Sequence, residues 1–89
     1  MARISFTENL QRHLDVAPLE VPGDTVGAVL AAVFAGNPRL RSYLLDDQGR
    51  VRRHVAIFVD AEQIADRRHL SDPVSAASDI FVVQALTGG

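Results

Sequence analysis

The run Ile80-Phe81-Val82-Val83-Gln84-Ala85-Leu86, just before the end of the chain, constrains the fold more than any other segment. It is rich in β-branched and aromatic residues and apolar on both of its faces, as a strand in the middle of a sheet is. A central strand needs a neighbour on each side, so the rest of the chain must supply at least two more. Arg3-Ile4-Ser5-Phe6 alternates, with Ile4 and Phe6 on one side, and reads as a first strand. His54 to Asp60 puts Val55, Ile57 and Val59 on one face and reads as a third. Between them Leu14 to Val21 reads as a strand containing Pro18, which cannot donate to a ladder, so it belongs at an edge. Thr7 to His13 is short, polar and turn-like, which makes the first two strands an antiparallel hairpin.

One helix is legible. After Pro22-Gly23-Asp24, with Asp24 as the expected N-cap, Val26, Val29, Leu30, Val33 and Phe34 recur at spacings of three and four. Gly27 should weaken the first turn by about 1 kcal/mol relative to alanine. Gly36 is the expected stop, and Asn37-Pro38 opens a second short helical turn carrying Leu40, Tyr43 and Leu44. Asp46-Asp47-Gln48-Gly49 signals a turn. Ala61 to Asp79 is polar with apolar anchors at Ile64 and Leu70, which predicts loop, turns and one short strand.

One amphipathic helix laid over a mixed sheet of four or five strands satisfies the two-layer rule for an α+β fold. The doubly apolar last strand should lie between the first and the third, parallel to the first. That is the ubiquitin-like β-grasp arrangement, although the pattern by itself also admits other α+β folds. Residues 1–89 are expected to form a single such domain with a flexible C-terminal diglycine tail.

With 89 residues, 47% of them hydrophobic and 22% charged, the chain suits one small globular core. No apolar run approaches the ~20 residues of a membrane span, and Met1-Ala2-Arg3-Ile4 shows no signal-peptide core, so a cytoplasmic address with no membrane association is expected. The sequence has no cysteine, which excludes disulfides, a zinc–thiolate site and a cysteine nucleophile. A net charge of −2 argues against nucleic acid as a partner. All nine basic residues are arginine, so the chain offers no lysine to accept an isopeptide bond.

The sequence ends Gln84-Ala85-Leu86-Thr87-Gly88-Gly89, directly after the central strand. Two glycines without side chains can enter a narrow channel on another protein. A terminal carboxylate, ionised above a pKa near ~3.5, is a poor electrophile. Adenylation by ATP would activate it, and a persulfide or thiol could then attack the acyl-adenylate. The chain has no phosphate-cradling loop to do this itself. A diglycine can also be a frayed end, but following a β-grasp pattern it reads as a reactive tail.

The chain resembles the MoaD/ThiS family of ubiquitin-like sulfur-carrier proteins along nearly its whole length. The resemblance rests on Asp24-Thr25-Val26-Gly27-Ala28-Val29-Leu30, Asn37-Pro38-Arg39-Leu40-Arg41, Val55-Ala56-Ile57-Phe58-Val59-Asp60 and Asp79 to Gly89. Leu40 to Arg53 is most similar to the branch containing cysteine-biosynthesis carriers. The resemblance implies that a ubiquitin-activating-type enzyme adenylates Gly89 with ATP and that the product becomes a thiocarboxylate. Thr87 and Gly88 would complete the tail, and Phe81 and Val83 would face the adenylating enzyme. A sulfur donor and a downstream sulfur-accepting synthase are the further partners implied. No cofactor is expected to be bound permanently, the ATP being used by the partner, and the chain is not expected to be an enzyme. It departs from the family pattern at Asp60-Ala61-Glu62, where Asn-Gly or a similar turn is frequent, at Ala76-Ala77-Ser78-Asp79, where Asp-Gly-Asp is frequent, and at Gln84-Ala85, where many molybdopterin carriers have prolines. Cysteine, molybdopterin, thiazole, tRNA-thiolation and specialised-metabolite routes all suit the pattern.

His13, His54 and His69 show no metal-ligand spacing, and Asp46, Asp47, Asp60, Glu62 and Asp66 match no calcium loop. Arg50, Arg52, Arg53 and His54, like Arg67-Arg68-His69, form either solvated surface or a docking patch for an acidic partner. Two other functions stay open beside sulfur carriage: a protein modifier conjugated through Gly89, and a non-covalent β-grasp adaptor whose tail is idle.

Overall fold

The computed structural model describes residues 1–7 and 18–84. The expected turn from residue 8 to 13, the start of the second strand, His13 and the tail from Ala85 to Gly89 lie outside the described residues. Strands β1 (Ala2–Phe6), β2 (Leu19–Val21), β3 (Val55–Val59), β4 (Glu62–Gln63) and β5 (Asp79–Gln84) form one sheet in the order β2-β1-β5-β3-β4. β5 is central, parallel to β1 and antiparallel to β3. β2 pairs antiparallel with β1 at the edge, and Pro18 sits just ahead of it rather than inside it. This is the β-grasp order expected from the doubly apolar last strand.

Paired residues share a face, so the register sorts the sheet into two surfaces. On one, Leu19, Ile4, Ile80 and Val59 form a row across four strands, and Phe6, Val82 and Ile57 form the next. Helix α1 (Val26–Gly36) covers the centre of these rows with Val26, Val29, Leu30 and Val33, all buried, while Leu19 on the edge strand stays exposed. A second short helix, α2 (Arg39–Leu44), adds Leu40 and Leu44. Burying each such side chain contributes about 1.5–3 kcal/mol, and this shared layer holds sheet and helices together.

The helix start differs from expectation. Thr25, not Asp24, is the N-cap: its backbone is extended and its Oγ1 accepts from Ala28 N at 3.1 Å. A bridge between Thr25 and Pro73 holds it there, and the Asp24 carbonyl accepts from Val74 N instead. At the other end Gly36 is still helical and Asn37 caps, donating to the Val33 carbonyl. Gly27 is a close-approach site: it donates to the Leu70 carbonyl at 2.9 Å, and a Cβ added there would sit 3.3 Å from that oxygen.

The polar stretch between β3 and β5 is ordered by carboxylates accepting from main-chain N–H groups. Asp72 receives Ala65 and Asp66, and Asp66 receives Arg68 and His69 together with the Ser71 hydroxyl. These bonds, led by that from Ser71, hold the Asp66 carboxyl down at about 2, against an ordinary 3.8. Because the folded value is the lower one, the stabilising contribution is complete above the unfolded value and is lost as pH falls from 3.8 towards 2. A carboxyl-carbon NMR titration should find Asp66 titrating near 2, and Ser71→Ala should raise that value. An Asp66 that titrates normally in the wild type would show that these bonds do not form.

The β3–β4 turn supplies a second test. Asp60 and Ala61 both lie at positive φ, +50° and +71°, the conformation that makes Asn-Gly the common choice in such hairpins. A left-handed non-glycine residue costs ~1–2 kcal/mol, partly offset here by glycine's extra unfolded-state entropy. Ala61→Gly is therefore expected to stabilise the protein by about 0.5–1 kcal/mol. A thermal melt should register this as a gain of about 2–8 °C; an unchanged or lower Tm would contradict the turn geometry.

Candidate functional site

The sheet face away from the helices is set by the other half of each strand's alternation. β5 places Asp79, Phe81 and Val83 there, between Arg3 and Ser5 of β1 on one side and Ala56 and Phe58 of β3 on the other. The β1 side is polar and the β3 side apolar. Phe81 stands directly opposite Phe58, and Val83 opposite Ala56. Phe81 is 43% exposed, in contrast to Ile80 at 1% and Val82 at 0% on the same strand. The two faces sort as expected from the sequence, with Ile80 and Val82 covered and Phe81 and Val83 on the other face, where Phe81 is exposed and Val83 half-buried.

Phe58, Phe81 and Val83 line a hollow of about 610 Å³ whose rim carries Asp60, Ala61 and Asp79. The rim is tied across the two strands: Asp60 N donates to the Asp79 carbonyl at 2.8 Å, and the Asp60 carboxylate accepts from Asp79 N at 2.9 Å. An apolar hollow ringed by polar groups on an otherwise mixed surface is the kind of place where another protein docks. Sequence reasoning missed Phe58. Its signal was the alternation of β3, which puts Phe58 opposite Val55, Ile57 and Val59, but its pairing with Phe81 depends on a register the sequence does not display.

β5 leads from this patch towards the tail. Val55 pairs with Gln84, the last described residue, so the described part of β5 ends beside the start of β3. Thr87, Gly88 and Gly89 lie outside the described residues. Among the described residues no three histidine, aspartate or glutamate side chains gather as a metal-binding group. The Asp46, Asp60 and Asp66 carboxylates are each engaged with main-chain N–H groups. No helix of the described residues is long and apolar enough to cross a membrane. The two basic clusters, separate in sequence, come together in one cleft near the β3 start.

A five-stranded mixed sheet with this strand order, one main helix across it and the last described strand at its centre is the ubiquitin-like β-grasp fold. Solved structures share the architecture over the full chain. A chain of the Amycolatopsis orientalis BexX/CysO complex matches with a TM-score of 0.85 at 19% identity, covering 100% of both chains. Mycobacterium tuberculosis CysO matches with a TM-score of 0.82 at 22% identity, over 97% of this chain and 100% of that one. SAMP1 from Haloferax volcanii matches with a TM-score of 0.79 at 23% identity, over 99% and 98%. No protein-family model matches the chain, and no curated protein matches it significantly.

Proposed function

We propose that this chain is a sulfur carrier of the MoaD/ThiS type, a protein substrate rather than a catalyst. The observation that carries the reading is the central strand β5, which places Phe81 and Val83 beside Phe58 in an open apolar hollow and is followed in sequence by Gly88-Gly89. An adenylating enzyme docks on that apolar hollow and takes up the tail. A Gly89 carboxylate oxygen attacks the α-phosphorus of ATP, and pyrophosphate leaves. Sulfur then replaces AMP at the acyl carbon. If the donor is a persulfide, a thiol cleaves the resulting S–S bond, releasing the Gly89 thiocarboxylate and leaving the donor sulfur in a disulfide. A downstream synthase accepts the carried sulfur. The chain holds no cofactor of its own, and the ATP belongs to the partner. The fold shared with CysO, solved in one case as a BexX/CysO complex, supports the reading.

The test is intact mass spectrometry of the protein from its own host, before and after incubation with ATP, an adenylating enzyme of that host and a sulfur source. The expected result is a mass gain equal to exchanging one oxygen for sulfur, mapped by fragmentation to Gly89. An unmodified terminus, with the same enzyme active on another carrier, would refute the proposal. One observation favours a second reading: Haloferax volcanii and Methanosarcina acetivorans structures named small archaeal modifier protein 1 share this fold. A modifier would give larger conjugates joined through Gly89 to lysines of other proteins, which the same spectra would reveal.

A further inference from the structure

We propose that the basic cleft at the tail end of the sheet docks a carboxylate-rich segment of a partner protein. Taking that partner to be the enzyme that receives the tail rests on the sulfur-carrier reading above. Five of the nine arginines, Arg50, Arg52, Arg53, Arg67 and Arg68, line this cleft of about 430 Å³ together with His54. Asp46 is the one carboxylate among its lining residues. In a chain of net charge −2, that is a strong local concentration of the opposite sign.

The clusters are brought together by specific bonds. Val51 N donates to the Arg67 carbonyl at 3.0 Å, and Arg67 Nη2 donates to the carbonyls of Arg52 and Val55, both at 2.7 Å. Arg52 Nε donates to the Ser42 carbonyl at 2.8 Å, and Arg50 Nε reaches Asp46 at 3.2 Å. These three guanidinium groups are held in place by the fold. Arg53 and Arg68 are exposed and have no side-chain partner among the described residues. The cleft thus combines a fixed floor with two uncommitted forks.

Five of its eight main-chain donors are already spent. Asp46 N donates to the Arg50 carbonyl, Arg50 N to the Asp46 carboxylate, Val51 N to the Arg67 carbonyl, Arg52 N to the Leu44 carbonyl and Arg68 N to the Asp66 carboxylate. A compact phosphate is best held by several converging N–H groups, most of which are turned to other acceptors here. A nucleic acid is best held by a long basic stripe with stacking aromatics, which the lining residues do not provide. Guanidinium forks spread along an open cleft match a row of carboxylates, each able to accept two parallel N–H bonds. The location fits as well, since His54 immediately precedes β3, whose Val55 pairs with Gln84, the last described residue before the tail in sequence.

The test is an NMR titration of the full chain with a poly-glutamate peptide, with inorganic phosphate and a single-stranded oligonucleotide as competing probes. The peptide should move the amide signals of Arg53, His54 and Arg68. Its affinity should fall at least ~10-fold in an Arg53→Glu/Arg68→Glu variant and similarly at ~1 M salt. Circular dichroism should show that variant folded, both side chains being exposed. Peptide binding elsewhere, undiminished binding by the variant, tighter binding of the oligonucleotide, or phosphate matching the peptide would each overturn the proposal. With the adenylating enzyme, the variant should raise KM roughly tenfold at little change in kcat, and an unaltered KM would overturn the assignment of the partner. A wild type that binds the peptide at the cleft but never gains sulfur would refute the sulfur-carrier reading and support the cleft.

Discussion

A chain lacking Gly89 is expected to take up sulfur at least ~100-fold more slowly than the full chain, with its melting temperature unchanged. The truncated protein still ends in a carboxylate, that of Gly88, so chemical reactivity alone predicts no loss. What changes is reach. One residue of extended chain spans about 3.3–3.6 Å, and the docked sheet face fixes where the tail begins. The carboxylate is withdrawn by that distance from the phosphorus it must attack, whereas a misplacement of about 1 Å already costs a reaction about 100-fold. Stability should not follow, because every described core residue lies at or before Val82. The check is the rate of the oxygen-for-sulfur mass change in each protein beside a thermal melt. A truncated chain that worked at full rate in its host would favour the adaptor reading, in which the tail is idle.

The two patterns that build the sheet were legible because each is local: β5 is apolar on both faces, and β3 carries Val55, Ile57 and Val59 at period two. The central place of β5 followed from its double face, and the edge place of β2 from Pro18. What escaped was whatever depends on residues far apart in sequence. Asp24 was the expected cap, but the bridge from Thr25 to Pro73 fixes the extended backbone a cap needs one position later. Gly27 looked like a weak spot in the helix, but the Leu70 carbonyl lies against it. Phe58 was not joined to Phe81 because pairing register is a property of two strands, not of either one. The meeting of Arg50–His54 with Arg67-Arg68 depends on a loop whose path is set by the carboxylates of Asp66 and Asp72. Turn geometry escaped too: the two positive φ angles fall at Asp60-Ala61, where the residue types that would announce them, Asn-Gly, are absent.

Two substitutions on neighbouring residues of β5 should have opposite consequences. Val82→Asp is expected to prevent stable folding, while Phe81→Asp should leave the chain folded and cripple its docking. Val82 is fully buried, paired with Phe6 on one side and Ile57 on the other. A carboxylate there would lose its water and find no cation among the helix residues above it, which are Val26, Val29, Leu30 and Val33. An uncompensated buried charge costs about 3–5 kcal/mol or more, a large part of the ~5–15 kcal/mol that holds an average domain folded. Phe81→Asp places its charge in solvent on the open face. It gives up some cross-strand contact with Phe58, a loss of about 1 kcal/mol. For the adenylating enzyme the same change removes an aromatic anchor and puts a charge in an apolar hollow, a loss of about 2 kcal/mol or more, or roughly a 30-fold rise in KM. Circular dichroism melts and KM for sulfur transfer measure both effects. If Phe81→Asp is turned over as efficiently as the wild type, the partner does not dock on this face. If Val82→Asp melts like the wild type, β5 is not the central strand and the topology itself is wrong.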